Sequence, residues 1–291
     1  MTDSSRHGLH ARTTLDVGEL AEIRALADTC QRLDDIDLRL VWNELESRSG
    51  ERANDFLYYA DGRLVGFLTL SGLGDDEAEA TGMVHPDFRR RGIFRELVGA
   101  ARAECRRNGT DALVFIADRR SLAAKGFLES LGARHQFAEH SMRLDTPASV
   151  ELPASDLTIA RATVADAALI ATIIASDAGF DPTNFGQHVA LMMRQPTYRY
   201  YIARLHDASV GTANIQILNG DAYIYGFVVS AEYRGRGYGR QLLAHMIAEI
   251  AAERPQPVFL EVETENVPAL ALYRSFGFQV TNTFDYYRID I

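Results

Sequence analysis

Lysine is almost missing from this chain. Lys125 stands alone and arginine supplies the rest of the positive charge, a bias that points to a GC-rich bacterial genome and carries no chemistry. Basic residues are also outnumbered, giving a formal charge of −10 and a pI of about 5.3. A surface that tracks phosphates needs a basic face, so no nucleic-acid partner is expected and the acidity reads as a solubility device. Cysteine is confined to Cys30 and Cys105, which have no metal-ligand spacing and make no disulfide framework. No stretch approaches the ~18 consecutive apolar residues of a membrane span. The opening "MTDSSRHGLHARTT" lacks the apolar core of a secretory signal. Missing too are G-x-x-x-x-G-K-[ST] and a dinucleotide-type βαβ unit with its acidic residue ~20 positions on. A cytoplasmic protein with no membrane partner and no metal is the expectation.

What is present is a repeat. The 291 residues, 47% hydrophobic and 24% charged, suit two domains. Residues 56–145 and 201–290 align without a gap at an offset of 145, identical at 17 of 90 positions, where chance gives roughly 5 or 6. Arg89 falls on Arg234, Arg91 on Arg236, Gly92 on Gly237, Arg95 on Arg240 and Val84 on Val229. The expected domains are 1–147 and 157–291, joined through "TPASVELPASD" (146–156), whose prolines favour a short extended linker. The second copy reads as strands over 157–163, 198–205, 209–218, 221–230, 257–263 and 284–291. Helices fall over 164–175, 240–253 and 267–276. Leu242, Leu243, Met246, Ile247 and Ile250 give the second of these its i, i+3, i+4 apolar face. The order β-α-β-β-β-α-β-α-β predicts an α/β fold in each copy, a mixed, mostly antiparallel sheet flanked by helices.

Between the strand 221–230 and the helix from 240 lies "EYRGRGYGRQLL", with Gly235, Gly237 and Gly239 on alternate positions. A strand, a glycine loop and a helix N-terminus make an anion site, because backbone N–H groups converge there with the positive end of the helix dipole. Arg234, Arg236 and Arg240 could add charge-assisted contacts to phosphate oxygens. A tight turn with surface arginines would carry the same letters; its place between a strand and an amphipathic helix favours the anion site.

Downstream, "FLEVETENVPALALYRSFGF" (259–278) supplies a second motif. With R-x-x-G-x-G at Arg234–Gly239, Leu260-Glu261-Val262, Asn266, and Leu272-Tyr273 before Gly277-Phe278, most of residues 157–291 resembles the GCN5-related N-acetyltransferase (GNAT) superfamily. That resemblance implies acetyl-CoA as co-substrate. Its pyrophosphate would lie on Arg234, Gly235, Arg236, Gly237, Tyr238, Gly239 and Arg240, its pantetheine would pair like a strand with Phe227, Val228 and Val229, and Asn266 would touch it. A backbone N–H near Val229 would face the thioester carbonyl. The acceptor implied is a primary amine of a small molecule or peptide, with the amine of a thiol-bearing sugar as one alternative, and a homodimer is left open.

Amide formation needs a neutral amine and a proton for the departing thiolate. Glu261 alternates with Val258, Leu260 and Val262, so it lies on the non-core face of its strand, either solvated or lining a cleft. In relatives with L-E-V such a glutamate can act as base, though bases vary across the superfamily; Glu263, on the same face, is the substitute. Tyr273 reads as a core tyrosine or, by its place in L-Y-x-x-x-G-F, as the acid. Asn266 also reads as a helix cap ahead of Pro268. His188, Asp177 and Asp181 fall where the family places a substrate loop, although surface turns would look the same.

The first copy has Ile116, Ser121 and Leu128 where the second has Glu261, Asn266 and Tyr273, and Phe94 in place of Gly239. Its glycine-loop remnant, Arg89–Phe94, leaves coenzyme binding open while catalysis there is not expected. The expectation is an N-acetyltransferase with a degenerate first domain; the rival is a non-catalytic acyl-CoA-binding sensor or scaffold.

Overall fold

A computed structural model of the chain describes residues 6–145, 156–178, 182–218, 220–253 and 257–291. The join at 146–156 lies, but for Asp156, outside them. The first half runs β1 (Gly8–Arg12), α1 (Val17–Asp34), α2 (Trp42–Glu46), β2 (Asp55–Ala60), β3 (Arg63–Ser71), β4 (Glu77–Val84), α3 (Ile93–Asn108), β5 (Ala112–Asp118), α4 (Leu122–Ser130) and β6 (Arg134–Leu144). The second runs β7 (Leu157–Arg161), α5 (Ala167–Ala178), α6 (Pro182–Met192), β8 (Tyr198–Leu205), β9 (Ala208–Leu218), β10 (Asp221–Val229), α7 (Tyr238–Glu253), β11 (Val258–Glu263), α8 (Val267–Ser275) and β12 (Gln279–Asp290). The expected elements are present. Helix α6 was not expected, since the stretch containing His188 reads as a loop from its glycine and proline content. Its apolar residues pay off only in tertiary contact: Val189 is buried with Ile170 and Ala171 of α5 against Tyr200 and Ile202.

Contacts divide the chain into two compact units, residues 1–139 with 282–291, and residues 140–281. The expected boundaries at 147 and 157 follow the linear repeat, and the contacts depart from it at both strand ends. In unit 1 the sheet order is β1-β2-β3-β4-β5-β12, antiparallel except for β4 beside β5. Its last ladder pairs Phe284 with Asp118 through Asp290 with Ala112. Phe284, Tyr286, Tyr287 and Ile289 are buried there, and Asn282 donates to the Asp118 carboxylate at 2.9 Å. Burial alone would raise the Asp118 carboxyl, but hydrogen bonds from Arg120, the Asp37 N–H and Asn282 bring it down to about 2.

Unit 2 has the order β6-β11-β10-β9-β8-β7, with β10 and β11 parallel. Helices α7 and α8 cover one face, where Leu242, Leu243, Met246, Ile247 and Ile250 pack with Val258, Leu260 and Val262. Each such side chain, fully buried, contributes about 1.5–3 kcal/mol. Helices α5 and α6 cover the β8 side of the other face. The thiols of Cys30 and Cys105 are both buried, and burial pushes each up to about 11, so they remain protonated. No helix among the described residues is long and apolar enough to cross a membrane.

The placement of 282–291 generates a test. Ending the chain after Thr281 should speed hydrogen exchange in β5 and lower the melting temperature of unit 1, while exchange in β9 and α7 changes little. Loss confined to unit 2 would contradict the observed ladder.

Candidate functional site

Strand β10 carries the candidate site because its two edges differ. On the β9 side it is paired from Asp221 to Val229, with a bulge between Tyr225 and Val228. Gly226 in that bulge has φ 55, which a side chain resists; a Cβ there would come 3.0 Å from Asn214 Nδ2 and 3.1 Å from Ile174 Cδ1. On the β11 side the parallel pairing is limited to Ala222 with Val258 and Tyr223 with Phe259. Beyond Tyr223 the strands part. The Ser230 N–H donates to the Val210 carbonyl at 2.9 Å, which makes Val229 and Gly211 a non-hydrogen-bonded pair. The N–H and C=O of Val229 therefore point away from β9, toward the parting.

The loop after β10 has Gly235 at φ 74 and Gly237 at φ 81, and nothing lies within 4 Å of a Cβ built on either. Glycine is needed here for its left-handed backbone rather than for close packing, and the open space leaves room for an anion. Gly239, in the first turn of α7, would bring a Cβ to 3.5 Å from Leu272, an ordinary contact. The three arginines, each of which could contact phosphate, have different surroundings within the chain. Arg234 Nε donates to the Val229 carbonyl at 2.8 Å and its guanidinium pairs with Asp177. It holds the end of β10 to α5. Arg240 donates to Ser275 Oγ at 3.0 Å and lies over the Phe276 ring. Arg236, exposed, rests 5.8 Å from the Tyr233 ring centroid.

Glu261 and Tyr273 lie on opposite faces of the sheet. Tyr273 belongs to the cluster of α7 and α8, 5% exposed, and meets Phe227 edge-on at 5.9 Å. Burial pushes its phenol well above the ordinary value, so it keeps its proton at working pH. Glu261 is half-buried on the face of Phe259, where Ser141 Oγ donates to it at 3.5 Å. Glu263 is exposed. Asn266 caps α8, accepting from the Ala269 N–H at 3.2 Å. His188 is exposed on α6 and stacks on Phe185, so it is not on a loop. Asp177 is tied to Arg234, and Asp181 lies outside the described residues. Reading the sequence for motifs passed over Ser141, Asn214 and Tyr225. The alternation of Thr212, Asn214 and Gln216 inside an apolar strand was a signal for the second.

Unit 1 repeats the frame in detail. Arg89 Nε donates to the Val84 carbonyl at 3.0 Å and Nη1 to Asp34 at 2.9 Å. Ser121 caps α4 as Asn266 caps α8. Arg90 takes the left-handed place of Gly235 at φ 65. Strand β4, however, pairs with β3 from Gly66–Val84 to Ser71–Glu79 with no bulge. A phenyl ring has also changed places: Gly82 and Phe94 stand where unit 2 has Phe227 and Gly239. The Phe94 ring lies where a side chain on Gly82 would be, and packs on Phe127. A cavity of about 730 Å³ remains, bounded by Gly92, Phe94, Arg95, Val84 and Asp118 among others.

A model of the acetyltransferase (GNAT) family matches residues 20–133 and 170–278. The chain belongs to this family. The mycothiol acetyltransferase of Mycolicibacterium smegmatis is 30% identical over 300 residues, covering 92% of this chain and 95% of that protein. The N-alpha-acetyltransferase RimI of Mycobacterium tuberculosis is 37% identical over 142 residues, 46% of this chain and 85% of that protein. A crystal structure of a GCN5-related N-acetyltransferase from Sphaerobacter thermophilus shares the fold at a TM-score of 0.81 and 20% identity, covering 97% of this chain and 95% of that one. The protein is thus a tandem GNAT acyltransferase that transfers acetyl to an amine. The family's co-substrate is acetyl-CoA.

The backbone argument for the loop is testable by stability alone. Gly237→Ala should cost about 1–2 kcal/mol, since only the left-handed φ opposes the methyl group. Gly239→Ala, inside a helix and in ordinary contact, should be neutral or gain up to about 1 kcal/mol. Chemical denaturation of both variants checks the pair; equal effects would refute it.

Proposed function

We propose that unit 2 is the catalytic unit and that it acetylates a primary amine of a small molecule or peptide, with acetyl-CoA as donor. The observation that carries this reading is the Val229 N–H, turned toward the parting of β10 and β11 with Glu261 on one face and Tyr273 on the other. The loop residues fit the donor's pyrophosphate. Gly235 and Gly237 leave open space at the loop, and Arg236, Tyr238 and Arg240 adjoin them in sequence at the start of α7. Phe227, Val228 and Val229 would line the pantetheine, and Asn266 stands at the start of α8 to meet it. Acetyl-CoA supplies the activated acyl group.

The residues of the chain then divide the remaining work. An alkylamine of pKa ~10 is only about one part in a thousand neutral at pH 7, so a base lowers the barrier. Glu261, half-buried and on the open face, takes that proton directly or through water. The Val229 N–H donates to the acyl oxygen as negative charge develops there. Arg234 keeps that N–H in place by gripping the Val229 carbonyl from the same residue. Tyr273 holds its proton for the leaving sulfur.

Glu261→Gln and Tyr273→Phe should each lower kcat by about 10²–10⁴, with stability changed by no more than ~1 kcal/mol for the single group removed. Leu128→Ala, at the equivalent position of unit 1, should cost about 2–5 kcal/mol of stability and leave kcat intact. Free-thiol release with an amine panel, together with thermal unfolding, measures all three. A fully active Glu261→Gln beside an inactive Glu263→Gln would move the base one step along the strand face.

The cavity of unit 1 favours a second reading for that half, a non-catalytic site for the same coenzyme. Gly237→Glu sets a carboxylate against the pyrophosphate position of unit 2 and should abolish binding there. Calorimetry with acetyl-CoA on this variant should leave a single site if unit 1 binds, and no heat if it does not.

A further inference from the structure

Resting on the reading of unit 2 as catalytic, we propose that Asn214 selects the acceptor. Its side-chain amide would hydrogen-bond a neutral group, hydroxyl or amide, that the acceptor carries close to its reacting amine.

Strand registers place Asn214 in a transverse row. Tyr200 on β8 is the partner of Asn214 on β9, and Asn214 is the partner of Tyr225 on β10. Tyr225 and Glu261 each follow two residues beyond the last β10–β11 pair, Tyr223 with Phe259, on the same face of the diverging strands, and Ser141 meets Glu261 from β6. All five residues share the face opposite α7 and α8. The row opens along its length: Tyr200 is 6% exposed, Asn214 5%, and Tyr225 37%. Between the covered end and the carboxylate lies a floor of rings, with Tyr225 stacked on Tyr223 at 6.0 Å and Tyr223 on Phe259 at 5.2 Å.

Within that row Asn214 has an unmet need. Its Oδ1 is buried and has no hydrogen-bond partner among the described residues. A buried amide left in this state carries the desolvation cost of the polar group with no bond in return, and native structures seldom keep one without a use. Its nitrogen faces the bulge at Gly226, where a Cβ would lie only 3.0 Å from it, so the close approach depends on the glycine. The equivalent residue of unit 1 shows the contrast. Thr69, also buried, donates to Asp55 Oδ1 at 2.6 Å and accepts from Arg48 at 2.7 Å, and the bulge is absent. The copy without Glu261 and Tyr273 satisfies this position internally; the copy with them does not.

An amide offers an acceptor and a donor together, so its natural complement does both, as a hydroxyl or another amide does and an ammonium group does not. The acceptor class is therefore an amine with a neighbouring hydroxyl or amide, laid over Tyr225 between Asn214 and Glu261.

The test compares Asn214→Leu with the unchanged protein on three sets of primary amines of equal size: amino alcohols, amino-acid amides and plain alkylamines. The expected result is a melting temperature unchanged or raised. KM for the amino alcohols, the amino-acid amides, or both should rise about tenfold, with kcat and the KM for acetyl-CoA held within twofold and the preference over alkylamines lost. Which set responds identifies the group recognised. Amine-induced thermal shifts, read without turnover, should fall in parallel. A lowered melting temperature with an unchanged amine preference and shift would make Asn214 a structural, water-bridged residue and overturn the inference. Full activity of Glu261→Gln would refute the catalytic reading instead, and leaves the amine preference readable.

Discussion

A strand can be bonded on one edge and open on the other only if its neighbour leaves, and β10 is built around that asymmetry. It holds β9 along its length and releases β11 after Tyr223. The released edge turns the Val229 N–H away from β9, toward the parting; Phe227 meets Tyr273 on one face of the sheet, and Glu261 is half-buried on the other. The bulge at Gly226 supplies the extra twist, and Arg234 fastens the strand end by its carbonyl. Site, loop and helix N-terminus all take their positions from this one parted ladder.

The first copy shows what survives when such a site is no longer built. Its arginine strut, its α4 cap and the backbone bonds of its 3-10 turn at Pro86–Phe88 have counterparts in unit 2, because they hold a strand end to a helix and serve the fold whatever the chemistry. The bulge, the carboxylate and the phenol are gone, and Thr69, in place of Asn214, is paired with Asp55 and Arg48. The contacts that both copies keep hold the fold, and those that differ include the groups to which the proposed chemistry of unit 2 is assigned.

The chain's end adds a constraint of another kind. Residues 282–291 form the ladder beside β5 and bury Phe284, Tyr286, Tyr287 and Ile289 in unit 1. The units are thus not two consecutive lengths of chain, and the stability of the first depends on residues that follow the second in sequence.

The letters alone determined the repeat, the element order and the glycine loop, because an offset, a period and a positive-φ glycine pattern are properties of a line of residues. They also determined that Glu261 and Glu263 share a strand face, since side chains alternate. Tertiary structure decided the rest. Helix α6 exists by packing on Tyr200 and Ile202, partners remote in sequence. The last strand joins unit 1 because its ladder partner is β5, and no local pattern names a ladder partner. Arg234 turned out to be tied to Asp177 and Val229 because charge pairing depends on distance through space. Of two carboxylates equivalent in sequence, Glu261 is half-buried beside Ser141 while Glu263 is exposed; burial is a sum over neighbours that only the folded chain assembles.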